Sequence, residues 1–322
     1  MKVEILEPKG YCAGVNHAIE LAFQARKDNP NKKVFVLGML VHNNFVVKEL
    51  EDANIKCIDD INKIPNDAVI VFSAHGHNEA FDSIAKSKNL IIYDAVCPKV
   101  LRNIQIIKNE LSKGHQIIYI GKEGHPEANA CLSLSKKVIL FNKNVLKNNY
   151  LIIDESPLII NQTTLNILEI KDIHNEILKA IPKARIANEI CNATRLRQEA
   201  IKELNDDVDG IIVVGDKASS NTLRLLEIAK ATHPNIESVM ISDNSELKDE
   251  FLENKNHIAI SSGASTPEKI INVIYKRILD YWITLGNFSW STDVISSVRS
   301  ISSNCAFMDF MNIFSISCGI SK

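Results

Sequence analysis

The chain has 322 residues, 45% hydrophobic and 24% charged, with a formal net charge of −2 and a pI near 6.5. This is ordinary globular composition, enough for roughly two or three domains, and it lacks the basic excess of a nucleic-acid-binding surface. The opening MKVEILEPKG shows no basic stretch followed by an apolar one, and no apolar run approaches the ~20 residues of a membrane helix. The expectation is therefore a cytoplasmic protein that uses neither nucleic acid nor membrane as a partner. In that compartment seven cysteines are read as metal-binding, reactive or buried rather than as a disulfide framework.

Taken in order, short β-branched runs alternate with longer helical stretches, which is the pattern of α/β architecture. The first strand, KVEILEPKGYC, leads into Cys12. A helical stretch to about Asn29 follows, then the strand VFVLG ending at Gly38. The same order returns twice: Cys97, a helix and IIYIG ending at Gly121, then Cys191, a helix and IIVVG ending at Gly215. The cysteine-to-glycine separations are 26, 24 and 24 residues, the mark of an internal repeat. After each glycine comes a polar loop: His42-Asn43-Asn44, His125-Pro126-Glu127, Ser219-Ser220-Asn221. A helix and a strand come next (KCIDDI, KVILFN, SVMISD), and a further strand ends in a second polar turn: AVIVFSAHG with His75, LIINQTT with Thr163, HIAISSGAS with Ser265. NLIIYDAVC and ARIANEIC close the first two repeats and deliver the next cysteine. The third lacks such a strand, and residues 1–12 are expected to supply it. The organisation expected is an N-terminal strand (1–12) completing the third unit, α/β units over 13–97, 98–190 and 191–285, and an atypical Ser-rich tail over 286–322. The three pseudo-threefold-related α/β units would close into a ring.

In parallel α/β sheets ligands gather beyond the carboxyl ends of the strands. All three cysteines and all six polar loops fall there, so the ring would aim them at one central cavity. Three converging thiolates with no fourth leave one coordination position open. That fits a [4Fe–4S] cluster with one free iron; mononuclear zinc is the alternative, although closed zinc sites use four protein ligands and catalytic ones usually include His or carboxylate. Cys57 and Cys131 sit in apolar surroundings without a motif and are read as buried core. The loops describe an anion. His42, His75, His125, Ser219, Ser220, Asn221 and Ser265 are donors, and Ser219-Ser220-Asn221 should open a helix, whose free N–H groups favour negative charge. Histidines facing such an anion should titrate higher than usual. No GxxxxGK[ST] loop occurs, so a nucleoside triphosphate is not indicated. Glu127 is the one carboxylate inside these loops and is read as a proton donor, with Thr163 as a hydroxyl relay. His77 is ambiguous; His17, His115, His174, His233 and His257 are read as structural or surface residues.

At these positions the sequence resembles the 4-hydroxy-3-methylbut-2-enyl diphosphate reductases, the last enzymes of the non-mevalonate isoprenoid pathway. The matching segments are PKGYCAGV (8–15), VHNNFVV (41–47), SAHG (73–76), DAVCP (94–98), GHPE (124–127), QTTL (162–165), ICNATRLRQ (190–198), VVGDKASSNTLRL (213–225) and GASTPE (263–268), collinear over residues 1 to about 280. The resemblance implies a trefoil of three α/β domains around one [4Fe–4S] cluster held by Cys12, Cys97 and Cys191. It implies diphosphate contacts from His42, His75, His125, Ser219, Ser220, Asn221 and Ser265, with Glu127 as proton source and Thr163 beside the substrate hydroxyl. The implied reaction is a two-electron reductive dehydroxylation of the allylic diphosphate, giving isopentenyl or dimethylallyl diphosphate and water. No flavin or nicotinamide fingerprint is present, so electrons are expected from a separate ferredoxin or flavodoxin. A three-cysteine dehydratase resembling quinolinate synthase and an iron-sensing regulator remain as other readings; GHPE and QTTL favour the reductase, and no DNA-binding element supports the regulator. The resemblance runs out near Tyr281, and residues 287–322, with ten serines in 36 positions, are read as an appended segment.

Overall fold

The apolar strand runs of this chain are nearly continuous rather than alternating, which is what strands covered on both faces require. The computed structural model describes residues 1–142, 144–146, 152–187 and 190–284; the Ser-rich tail lies outside the described residues. The chain divides into Lys2–Ile278 and a second unit of Met1 with 279–322, described only as far as 284. Among the described residues no helix is long and apolar enough to cross a membrane.

Three four-stranded parallel sheets make up the body. After helix α1 (Ala13–Asp28), the first sheet is built from β2 (Val34–Leu37), β3 (Ile55–Ile58), β4 (Val69–Phe72) and β5 (Ile91–Asp94), in the order β3-β2-β4-β5. Helices α2 (Asn44–Asp52) and α3 (Ala80–Ser87) form its crossovers. The second sheet follows α4 (Pro98–Ser112) and uses β6 (Ile117–Ile120), β7 (Val138–Leu140), β8 (Leu158–Asn161) and β9 (Arg185–Ile186), in the order β7-β6-β8-β9, with α5 (Pro126–Leu132) and α6 (Ile167–Ala180). The third follows α7 (Asn192–Lys202) and uses β10 (Gly210–Val214), β11 (Glu237–Ile241) and β12 (His257–Ser262), with α8 (Ser220–Thr232), α9 (Asp249–Leu252) and α10 (Glu268–Thr284). Its fourth strand is β1 (Lys2–Ile5), paired parallel to β12 with Lys2 opposite His257 and Ile5 opposite Ile260. The order β1-β12-β10-β11 repeats that of the other two sheets.

Both faces of the first sheet are covered. Val34, Val36, Val69 and Val71 turn toward Ala18, Ala22, Val46 and Leu50 of α1 and α2, while Phe35, Leu37, Ile70 and Phe72 turn toward Ile61, Ile64 and Ala85. The second sheet divides in the same way, Ile117, Tyr119, Leu158 and Ile160 on one side and Ile118, Ile120 and Ile159 on the other. Register then levels the strand ends. Leu37 lies opposite Phe72, Ile120 opposite Asn161 and Val214 opposite Ser262, so paired loops leave each sheet at one height.

Replacing Ile260 with Ala removes a fully buried side chain between β1 and β10 and should destabilise the protein by about 2–5 kcal/mol. Ile91, 37% exposed on the edge strand β5, should cost less than about 1 kcal/mol on the same change, because water already reaches it. Urea denaturation midpoints of the two variants test the ranking.

Candidate active site

Helices α1, α4 and α7 each start immediately after a cysteine. Cys12, Cys97 and Cys191 are the N-cap residues, with ψ of 164°, 134° and 130°, and none of the thiols caps its own helix. Their amides are fixed in an equivalent way: Cys97 N–H donates to the Ala74 carbonyl (3.0 Å), Cys191 N–H to Thr163 (3.3 Å) and Cys12 N–H to Ala264 (2.9 Å). The acceptors are the corresponding residues of the loops after β4, β8 and β12, so one rule of construction places all three sulfurs. Gly14 supplies the clearance. A Cβ there would lie 2.6 Å from Cys97 Sγ and 3.9 Å from Cys12 Sγ, which shows both sulfurs directed at the same space. Burial pushes the Cys97 thiol up, and the neighbouring Cys12 and Cys191 add to this.

The polar loops complete the cavity. All twelve residues singled out from the sequence line it: the three cysteines, His42, His75, His125, Glu127, Thr163, Ser219, Ser220, Asn221 and Ser265. The imidazoles of His42 and His75 stack with ring centres 4.3 Å apart, and His125 meets them edge-on at 5.3 and 5.6 Å. His125 caps α5, its Nδ1 accepting from the Glu127 amide at 3.2 Å. That acceptor role places the ring proton on Nε2. Ser219 caps α8 by accepting from Thr222 N–H, so Ser220 and Asn221 occupy the first turn, where the helix presents free N–H groups. The Nε2 atoms of His42 and His75 and both side-chain polar atoms of Asn221 are buried without a partner in the protein. Such groups carry a desolvation cost unless a polar ligand meets them.

In the folded chain burial comes first for the histidines, and all three are pushed down, His75 well below its usual value and His125 to about 3; the expected rise concerns rings facing an anion and is a property of the bound state. The positive neighbours act in the same direction, the other two rings on His75, and His42 and Lys122 on His125. Glu127 moves the opposite way for the same reason: fully enclosed, its carboxyl is raised to about 7, opposed by its hydrogen bonds with Thr163. Thr163 N–H donates to Oε1 and Thr163 Oγ1 lies on Oε2, each at 2.8 Å.

Of the remaining residues, Cys131 is buried in the second sheet's core and Cys57 only half-buried at the first, so burial alone does not describe Cys57. His77 stacks on Phe72 near Asp82, away from the cavity lining. His115 meets Asp154, His174 meets Asn161 and His233 meets the Ile201 carbonyl. His17 is exposed, and His257 is buried beside Glu4 and Asp207. Three residues not singled out from the sequence hold the site together. Asn43 caps α2 and donates to the Ser265 carbonyl at 2.7 Å; Asp216 accepts from Asn44 N–H at 2.9 Å. These bonds join the first unit's loop to the third's. Arg197 is buried on α7 next to the cysteine turns. A signal for it exists: Thr194, Arg197, Gln198 and Ile201 form the inward stripe of α7, and a charge on such a stripe needs a reason.

Comparison with known proteins agrees with this construction. The profile of the LytB protein family matches residues 3–279. The 4-hydroxy-3-methylbut-2-enyl diphosphate reductase of Malacoplasma penetrans is 34% identical over 85% of this chain and 96% of that protein. The enzyme of the same name from Bacillus pumilus is 35% identical over 87% and 91%. Among solved structures, the E-1-hydroxy-2-methyl-but-2-enyl-4-diphosphate reductase of Plasmodium falciparum superposes with a TM-score of 0.80 at 29% identity, covering 86% of this chain and 87% of that one. A second, described as (E)-4-hydroxy-3-methyl-but-2-enyl diphosphate reductase, the terminal enzyme of the non-mevalonate pathway, gives 0.63 at 30% identity over 87% and 100%. The chain belongs to the LytB family, that of the 4-hydroxy-3-methylbut-2-enyl diphosphate reductases.

Proposed function

We propose that the chain converts 4-hydroxy-3-methylbut-2-enyl diphosphate to isopentenyl and dimethylallyl diphosphate by reductive dehydroxylation, and that the cavity at the meeting of the three sheets is where it does so. The observation that carries this reading is the joining in one cavity of three cysteine N-caps, a set of unpartnered imidazole and amide donors, and a buried carboxyl paired with a hydroxyl. The three sulfurs fit an iron–sulfur cluster: they are the ligand type such clusters use, two are directed at one point, and no thiol is engaged in capping. Cys12, Cys97 and Cys191 would hold one [4Fe–4S] cluster, which when bound supplies electrons and a Lewis-acidic iron. An external ferredoxin- or flavodoxin-type donor and a cytoplasmic location complete the proposal.

The chain's own residues then divide the work. Ser219, Ser220, Asn221 and Ser265 bring donors to the diphosphate from the third unit, His42 and His75 from the first and His125 from the second. His125, with its proton on Nε2, donates while neutral. Glu127 holds its proton at a defined atom. Oε1 is occupied as an acceptor by the Thr163 amide, so the acid proton sits on Oε2 against Thr163 Oγ1. When Glu127 is neutral, Oε2–H donates to Thr163, whose own O–H is free to point into the cavity; when Glu127 is ionised, Thr163 donates back. The pair can therefore pass one proton to a departing hydroxyl without either side chain moving far. Glu127 itself is buried, so its proton reaches the cavity by way of Thr163.

Three outcomes test the reading. Cys191→Ser should lose the iron and sulfide of anaerobically purified protein together with its activity, because an alkoxide is a poor thiolate substitute, whereas Cys57→Ser and Cys131→Ser should keep both; a full, active cluster in Cys191→Ser would overturn the ligand set. Glu127→Gln should retain substrate affinity and cluster while turnover with an artificial reductant falls about 10²–10⁴-fold. Since the acid form is the active one, wild-type turnover should decline as pH rises through about 7, and that limb should vanish in the Gln variant. Finally, an anion placed against three rings that are neutral on their own must raise their proton affinity. Diphosphate binding should take up protons and weaken as pH rises. Calorimetry in buffers of differing ionisation enthalpy at pH 7.5 measures this directly, and equal heats in all buffers would show that the histidines bind as neutral donors only.

A further inference from the structure

Arg197 is 2% exposed, and its donors go only to backbone carbonyls: Nη2 to Gly10 at 2.7 Å, Nη1 to Ala193 at 2.9 Å and Nε to Ser262 at 3.1 Å. No carboxylate among the described residues pairs with it in an ion pair. Glu7, the nearest acid that influences it, is two-thirds exposed and engaged with Lys9. A guanidinium stays protonated in a protein, so this is a buried positive charge without a counter-ion of ordinary kind. Burying one is costly unless opposite charge lies close. After burial, the neighbouring Cys12 and Cys191 have the largest influence on it, and their sulfurs are negative once they serve as thiolate ligands.

The three carbonyls it reaches are not arbitrary. Gly10 lies two residues before Cys12, Ala193 two residues after Cys191, and Ser262 ends β12, with its own hydroxyl accepting from Gly10 N–H at 3.2 Å. One planar group thus joins two of the three cysteine turns. The fork of donors accounts for the planar shape of the group, since a side-chain amide has only two N–H groups on one nitrogen and could not reach all three carbonyls; its buried charge without a carboxylate partner is what remains to be explained. We infer that Arg197 is the buried counter-cation of the three-cysteine site, a positioning residue that fixes the Cys12 and Cys191 turns relative to each other and stabilises the negative charge gathered on their sulfurs. Adding one electron to a cluster held there adds one unit of negative charge beside a fixed cation, so Arg197 favours the reduced form and raises the reduction potential.

The inference rests on the iron–sulfur reading, and the experiment keeps the two apart. Wild type, Arg197→Lys and Arg197→Gln are purified anaerobically with their clusters; iron and sulfide are quantified and the reduction potential is measured by dithionite titration followed by paramagnetic resonance. Lysine retains the charge but not the planar fork of hydrogen bonds; glutamine loses the charge and keeps at most two of the donors, so the two variants both lose the fork and differ chiefly in charge. The expected result is a Lys variant close to wild type and a Gln variant whose reduction equilibrium is at least tenfold less favourable, a shift of about −59 mV for one electron. A Gln variant that holds no cluster while the Lys variant does also supports the role of charge. A Gln variant with full cluster and unchanged potential, or equal cluster loss in both variants, overturns it. Absence of iron and sulfide from the wild type would instead remove the iron–sulfur reading, whatever the variants do.

Discussion

Parallel pairing is the constraint on which this molecule depends. In a parallel sheet every strand ends on the same edge, and every crossover helix begins there. A cysteine placed directly after the fourth strand of a unit therefore becomes the N-cap of the next helix. Repeating that arrangement three times, with each cysteine amide held by the loop after β4, β8 or β12, sets three sulfurs around one space. Three helix N-termini also point there, and their partial positive charges favour thiolate over thiol. At Cys97 burial opposes this and pushes the thiol up. The balance suits sulfur atoms that carry charge only when something bound shares it.

The rest of the cavity follows the same conflict between burial and charge. Enclosure lowers the histidines and raises Glu127, so both kinds of group are predominantly uncharged or poised near neutrality before an anion arrives. A pocket of fixed cations would hold a diphosphate more firmly at the outset, but it would hold inorganic phosphate as well. In the proposed reading, neutral imidazoles, helix N–H groups and Asn221 would recognise shape and hydrogen-bonding capacity first, and charge would develop as the anion draws protons onto the rings. Among the described residues, the permanent cation buried near the site is Arg197, which is bonded to carbonyls of the Cys12 and Cys191 turns.

Most of the framework was legible in the sequence because it repeats. The equal spacing from cysteine to glycine, the polar triplet after each glycine and the missing last strand of the third unit were enough to place the cavity-lining residues and to assign β1 to the far end of the chain. What repetition cannot reveal is contact between units. Asn43 reaching Ser265, and Asp216 reaching Asn44, break the threefold pattern, and no spacing encodes them. Arg195 and Arg197 illustrate the limit within a single motif. Both stand in ICNATRLRQ, yet Arg195 pairs with Glu199 on the partly exposed side of α7 while Arg197 turns inward. Only the helical period separates them. The depth at which the histidines lie, and so the strength of the burial effect on them, is likewise a property of the packed walls that the sequence does not show.

The pairing of β1 with β12 has a bearing on how the protein is made. Cys12 and Ser262 are 250 positions apart in the chain, and the turn that carries Cys12 is completed only when Ala264 accepts its amide and Ser262 shares Arg197 with Gly10. During synthesis the first two sheets can form while the third is still being translated. A nascent chain that has not yet reached β12 presents Cys12, Cys97 and, later, Cys191 as separate thiols on unfinished surfaces. A chain that stops between Cys191 and β12 would contain all three cysteines but lack the strand and loop that hold the Cys12 turn.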